Sequence, residues 1–259
     1  MLKWRGCRGV GGGSLSGEVR VLGVNGSPRR YGSAYKLLRV ALGAAEAEGA
    51  AAKLVHLYDY EIRPCLGCVS DMQEACRYPC VIEDDMRRLY DELLEADAMI
   101  LATPVYWFGV PGHVKNFIDR LTALENMIFV EGRSWLEGKV AGVIAVGNDS
   151  GDVEVLSEVA LTLNFMGMAI PPWGLSCTTE ADPISSDSTL VEAANVGRSV
   201  ALMAKLMRGV KARWYDPKPV DLEGVRRAVV EEAEREFLRV RDTRWQQIGR
   251  LLRGPSELG

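Results

Sequence analysis

Five short apolar runs, set apart by helix-length stretches, constrain this chain more than any other feature of its sequence: residues 19–25, 53–58, 98–103, 140–147 and 168–174. Each is a short apolar run rather than an apolar/polar alternation, so each needs cover on both faces. Strands of this kind with helices between them make a parallel sheet enclosed by two helical layers. The predicted helices cover residues 33–48, with Leu37, Leu38, Ala41 and Leu42 inward, then 114–121, a stretch ending near Phe165, and 190–207. Another begins at Glu83-Asp84-Asp85, whose carboxylates suit the positive end of a helix. The expected fold is an α/β three-layer sandwich on a five-stranded parallel sheet.

The flanks differ from this core. Residues 1–18 carry Gly6, Gly9, Gly11, Gly12, Gly13 and Gly17 with little apolar content, which predicts a flexible leader. The core domain is expected over 19–210. Within 211–259, beyond Pro217 and Pro219, Leu222, Val225, Val229, Ala233, Phe237 and Val240 recur every three or four residues. That spacing predicts an amphipathic C-terminal helical extension, read as a packing or oligomerisation element. A net charge of −4 and a pI near 5.4 argue against a nucleic-acid partner. No apolar run approaches the roughly 20 residues of a bilayer span and no signal-peptide pattern is present, so a soluble cytoplasmic protein without a membrane partner is expected.

Ligands of open parallel sheets bind outside the carboxyl ends of the strands, where strand order reverses. Three loops fall at such ends. Asn25-Gly-Ser-Pro-Arg-Arg-Tyr-Gly-Ser33 offers backbone amides at a helix N-terminus, hydroxyls at Ser27 and Ser33, and charge at Arg29 or Arg30. It lacks the Walker A lysine and does not fit G-x-G-x-x-G, so it suits a monophosphate; alone it is also a plausible plain turn. Thr103-Pro-Val-Tyr-Trp-Phe-Gly-Val-Pro-Gly-His113 puts three aromatics at a strand end, as a flat tricyclic isoalloxazine or a lid over the core requires. Gly147-Asn-Asp-Ser-Gly-Asp152 adds polar donors at the same edge, though any strand-to-helix turn looks similar.

Taken in order, Val24-Asn-Gly-Ser-Pro-Arg29, Pro64-Cys-Leu-Gly-Cys68, Cys80-Val-Ile-Glu-Asp-Asp-Met86, Thr103-Pro-Val-Tyr-Trp107 and Val114-Lys-Asn-Phe-Ile-Asp-Arg-Leu121 resemble the NADPH-dependent FMN reductase superfamily, in particular its iron–sulfur flavoprotein branch. The resemblance covers about residues 19–210. It implies a flavodoxin-like fold, FMN as cofactor, NAD(P)H as donor to a flavin, quinone or other acceptor, and a homo-oligomer. It also implies an alternative, an electron carrier fed by ferredoxin. By the same resemblance Ser27, Arg29, Ser33 and Ala34 correspond to the phosphate loop, and Pro104, Val105, Tyr106, Trp107 and Phe108 to the flavin-ring loop. Asn148, Asp149, Ser150 and Gly151 correspond to a third contact, and no residue stands out as an acid or base.

Four of the six cysteines, Cys65, Cys68, Cys76 and Cys80, fall in one segment. The family pattern resembles Cys-x2-Cys-x2-Cys followed by a further Cys. Cys65, Cys68 and Cys80 match it, but Asp71 holds the third place and Cys76 appears instead. A 4Fe–4S cluster with Cys76 as fourth ligand, a zinc site, a disulfide such as Cys76 with Cys80, and free thiols all stay open. Cys7 and Cys177 are read as structural or incidental, and His56 and His113 as hydrogen-bonded structural residues.

Overall fold

The computed structural model describes residues 18–210 and 213–252. The expected leader, Glu18 apart, lies outside the described residues. The chain divides into two compact units, 1–214 and 215–259. In the first, strands β1 (Val19–Asn25), β2 (Ala50–His56), β3 (Ala98–Pro104), β4 (Val140–Val146) and β5 (Leu175–Thr178) form one parallel sheet in the order β2-β1-β3-β4-β5. Helices α1 (Ser33–Ala47), α2 (Cys68–Asp71), α3 (Met86–Glu95), α4 (Gly112–Arg120), α5 (Thr122–Glu125), α6 (Met127–Glu131), α7 (Asp152–Phe165) and α8 (Asp187–Met207) connect and follow them. The second unit holds α9 (Leu222–Leu252). No helix among the described residues is long and apolar enough to cross a membrane.

Two strands depart from expectation. The last strand was expected over 168–174, but only Ala169 makes an isolated bridge there, to Val140, and the ladder starts at Leu175. Pro171 and Pro172 have no N–H to donate, and Trp173 is turned into the left-handed region at φ 61°. β2 starts earlier than 53–58 because Ala50, Ala51 and Ala52 pair with Val19, Arg20 and Val21, and the chain coils into a 3-10 turn from Leu57. Helix α8 starts at Asp187, where the Ser186 side chain accepts a hydrogen bond from Thr189 N.

The sheet separates two apolar cores. Leu37, Leu38 and Leu42 of α1 meet Val196, Val200 and Ala204 of α8 on one face. Leu89 and Leu93 of α3, Val114 and Phe117 of α4 and Val155 and Val159 of α7 fill the other. Helices α1 and α8 approach so closely at Gly197 that a Cβ there would fall on the Ala41 carbonyl.

Lys139, just before β4, donates from Nζ to the carbonyls of Leu94 (2.9 Å) and Ala96 (2.6 Å), closing the end of α3. Burial pushes its ammonium down to about 8, against the opposing pull of Asp97. In the unfolded chain this group keeps its proton up to about 10.4. Between those values the unfolded state binds more protons, so stability rises with pH. The urea midpoint of the wild type is expected to gain on that of Lys139→Met as pH goes from about 8 to about 10. A constant difference across that window would show that Lys139 titrates normally.

Candidate functional site

Because β1 leads to β2 on one side and β3 leads to β4 on the other, the β1 and β3 carboxyl ends flank the reversal of strand order. The loop after β1 is organised by Asn25. Its buried carboxamide accepts from Ser27 N at 3.1 Å, and its Nδ2 lies 2.9 Å from His56 Nδ1. Ser27, also buried, accepts at Oγ from Arg29 N at 3.1 Å. Gly26 N donates to Ala102 O at 2.8 Å, and a Cβ on Gly26 would strike Val114, so the loop lies close against β3 and α4.

Helix α1 then begins with Gly32 as its cap residue and no side-chain cap. The first intrahelical bond runs from Lys36 N to Gly32 O at 3.0 Å, which leaves the amides of Ser33, Ala34 and Tyr35 pointing outward beyond the helix end. Ala34 is buried, Ser33 half-buried and Arg29 exposed. Arg30 is held by Asp59; among the described residues Arg29 has no ion-pair partner.

The loop after β3 is a tight reversal. Tyr106 N donates to Gly109 O at 2.8 Å and Gly109 N to Tyr106 O at 3.1 Å, so Trp107 and Phe108 are the two central residues of a hairpin turn. Both have positive φ, 51° and 61°, the backbone that such turns normally give to glycine or asparagine. Large side chains held there carry strain, a feature that clusters at ligand sites. Trp107 is 96% exposed and Phe108 59%, so the turn spends its aromatics on solvent rather than on the core. Pro104 and Val105 below it are half-buried.

The third loop leaves β4 with Gly147 N donating to Thr178 O at 2.8 Å. Asn148, Asp149 and Ser150 are exposed. Gly151 is left-handed, φ 81°, and a Cβ there would stand 3.0 Å from both Val105 and Phe108, so the second and third loops touch through it. The residues singled out in the sequence thus gather at one edge of the sheet. The two histidines are satisfied: His113 Nε2 meets Leu57 O at 2.8 Å and its ring packs on Tyr58. Asn25, which orders the first loop, was missed; Asn-Gly-Ser at a strand end was its signal.

The cysteine segment forms a second assembly. Cys65, Cys68, Cys76 and Cys80 line one pocket together with Arg120 and Ala123, and no disulfide joins them. Asp71, at the end of α2, is exposed and lies off this lining. Burial, followed by the nearby Cys65, Cys80 and Cys68, pushes the Cys76 thiol up to about 11. Gly67 N points at Cys65 Sγ, 3.4 Å away. Among the described residues no three Cys, His, Asp or Glu side chains come together as a single-ion site.

Remote residues pin this segment. Buried Asn126 donates to the carbonyls of Gln73 (2.7 Å) and Cys76 (2.6 Å). Arg120 grips Asp84 through both terminal nitrogens, at 2.7 and 3.1 Å, and also reaches Arg63 O at 3.1 Å. The Asp84 and Arg120 side chains are 0% and 1% exposed. Burial alone would raise the Asp84 carboxyl, but the Arg120 hydrogen bonds, the Arg63 amide and the Arg120 charge hold it below the usual range. Asp84 was expected to serve the helix that follows; it does accept from Met86 N at 3.1 Å, but its larger role is to Arg120.

A five-stranded parallel sheet of this order, with its open loops at the switch point, defines the flavodoxin-like class. The family model for NADPH-dependent FMN reductase matches residues 19–180, and the chain belongs to that family. It is an FMN-dependent flavoprotein oxidoreductase. An iron–sulfur flavoprotein of Archaeoglobus fulgidus is 36% identical over 157 residues, 61% of this chain and 64% of that protein, just under two thirds of its length. One of Methanocaldococcus jannaschii is 30% identical over 201 residues, 73% of this chain and 100% of that protein. Among solved structures, RosB with bound 8-demethyl-8-formylriboflavin-5'-phosphate shares the fold at a TM-score of 0.62 and 22% identity, covering 83% of this chain and 87% of its own.

Proposed function

We propose that this chain takes reducing equivalents from NAD(P)H on an FMN bound across the three loops and passes them to a small-molecule or protein acceptor. The observation that carries this reading is the uncapped α1 N-terminus beside Ser27, at the same sheet edge as the exposed aromatic turn. FMN supplies the hydride and electron chemistry when bound. The amides of Ser33 and Ala34, the Ser27 hydroxyl and the Arg29 guanidinium hold its phosphate. The turn from Pro104 to Phe108 flanks the ring and excludes water, and Asn148 to Gly151 supply hydrogen bonds to its polar edge. These residues contribute orientation and electrostatics.

Anaerobic NADH or NADPH is expected to bleach the flavin of the purified protein. A flavin left oxidised by both would move the reading to a carrier fed by a protein donor. Gly151→Ala forces a side chain into a left-handed residue and against Val105 and Phe108. It is expected to weaken FMN retention by about tenfold, the lower part of the 1–3 kcal/mol range for such strain. Equilibrium dialysis showing wild-type retention would remove the second and third loops from the site.

The cysteine pocket favours a second redox centre. Its donor set, four thiols on one pocket with Asp71 off the lining, suits a 4Fe–4S cluster. Cys65, Cys68, Cys76 and Cys80 would hold it, with the Gly67 amide directed at the Cys65 sulfur and the Arg120 cation lining the same pocket. Iron and acid-labile sulfide are expected in anaerobically reconstituted protein; absence of both would refute the cluster.

A further inference from the structure

Arg120 is the last residue of α4, and its side chain is buried. A guanidinium carries five N–H donors, and burial makes each of them costly to leave unused. Four are taken. Nη1 donates to Arg63 O at 3.1 Å and Asp84 Oδ2 at 2.7 Å, and Nη2 to Asp84 Oδ1 at 3.1 Å and Ile82 O at 3.4 Å. The fifth, on Nε, has no acceptor. Among the described residues it is the one buried side-chain nitrogen or oxygen without a hydrogen-bond partner.

The surroundings narrow what that acceptor can be. Arg63 stands two residues before Cys65 and Ile82 two residues after Cys80, so the guanidinium fastens the two ends of the cysteine segment to each other. Arg120 also lines the cysteine pocket, whose remaining side chains are apolar apart from Arg77, Asp119 and the four thiols. Arg77 is itself a donor. Asp119 precedes Arg120 on the helix, so the two side chains diverge, and it pairs with Lys115. That leaves the sulfurs. Burial disfavours the Arg120 cation, whereas the Asp84 hydrogen bonds, Tyr90, Cys80 and the Asp84 charge favour it, so Cys80 is the thiol whose charge bears on this guanidinium.

We infer that the Arg120 Nε–H donates a hydrogen bond to the Cys80 sulfur when that sulfur is a ligand of the cluster, and so sets the reduction potential of the centre. The inference rests on the cluster reading above and extends it from the ligands to a group that tunes them. A hydrogen bond to a ligand sulfur and a cation beside it both stabilise the more negative, reduced state, so both raise the potential. The Asp84 fork holds the guanidinium in one plane and thereby fixes the direction of the remaining donor.

The test uses the full-length, anaerobically reconstituted and FMN-loaded chain, labelled with heavy nitrogen at arginine Nε, its iron and sulfide assayed first. In the reduced protein, electron–nuclear double resonance is expected to show a nitrogen coupled to the cluster. The coupling should vanish in Arg120→Lys, which keeps a cation against Asp84 but has no Nε–H. At a fixed potential the ratio of reduced to oxidised cluster should fall about tenfold in that variant, with FMN content unchanged. Should Arg120→Lys not hold the cluster, Arg77→Lys decides the source, since it is expected to retain the coupling. A full complement of iron and sulfide without the coupling, or a coupling lost with Arg77, overturns this inference and leaves the cluster standing. Protein without iron or sulfide overturns the cluster reading and this inference with it.

Discussion

Asp84→Ala is expected to lower the unfolding free energy by about 3–5 kcal/mol, because it leaves the Arg120 guanidinium buried with its charge unanswered. The cost is local before it is global. Asp84 also accepts from Arg63 N and Met86 N, so one carboxylate ties the segment before the cysteines to the start of α3. Thermal and urea unfolding followed by circular dichroism measure the loss, and faster reaction of the four thiols with a disulfide reagent measures the loosened segment. The pH dependence has a definite sign. The Asp84 carboxyl is held below its unfolded value, so its contribution is complete above the ordinary carboxylate range. It disappears as pH falls through the lower folded value. The wild type should therefore lose its advantage over Asp84→Ala in acid. An unchanged midpoint in the variant at neutral pH would show the pair to be dispensable.

Gly197→Ala should be comparably damaging for a different reason. The added methyl falls on the Ala41 carbonyl, which is helix backbone and cannot swing aside, so α1 and α8 must move apart. Overpacking of a tight core costs about 1–3 kcal/mol when side chains can adjust, and more is expected where backbone must move. The shift would also displace the N-terminus of α1, where the proposed phosphate site lies. Gly43→Ala, on the same helix α1 but with nothing within 4 Å of the new methyl, is the control. It should stabilise by about 0.5–1 kcal/mol through helix propensity. Opposite signs for the same substitution, read as urea midpoints, would establish that Gly197 is there for approach and not for flexibility; equal signs would refute it.

The sequence made the interior strands legible because residues 19–25, 98–103 and 140–147 are buried on both faces, the exposed Arg20 apart, and written as largely apolar runs. The edge strands were harder. Ala50, Ala51 and Ala52 have weak β preference and enter the sheet because Val19, Arg20 and Val21 lie alongside. Residues 168–174 look apolar enough for a strand, yet Pro171, Pro172 and the left-handed Trp173 keep the chain off the ladder until Leu175. The three loops could be read from composition, since small and polar residues between a strand and a helix mark an edge. Their mutual contact could not: Gly151 against Val105 and Phe108 joins residues far apart in the chain. The same holds for the cysteines. Spacing left Asp71 and Cys76 as rivals, and only the turn of α2, which exposes Asp71, with Asn126 anchoring the carbonyl of Cys76, brings the four thiols to one pocket.

The proposed function gives the chain two redox centres, a flavin over the β1 and β3 ends and a cluster in the cysteine pocket. An anaerobic reductive titration of the reconstituted, FMN-loaded protein counts them. It should consume about three electron equivalents per chain, two for FMN and one for the cluster, and about two in Cys76→Ser. A wild-type protein that takes up about two, or a Cys76→Ser protein that still takes up about three, would contradict the account.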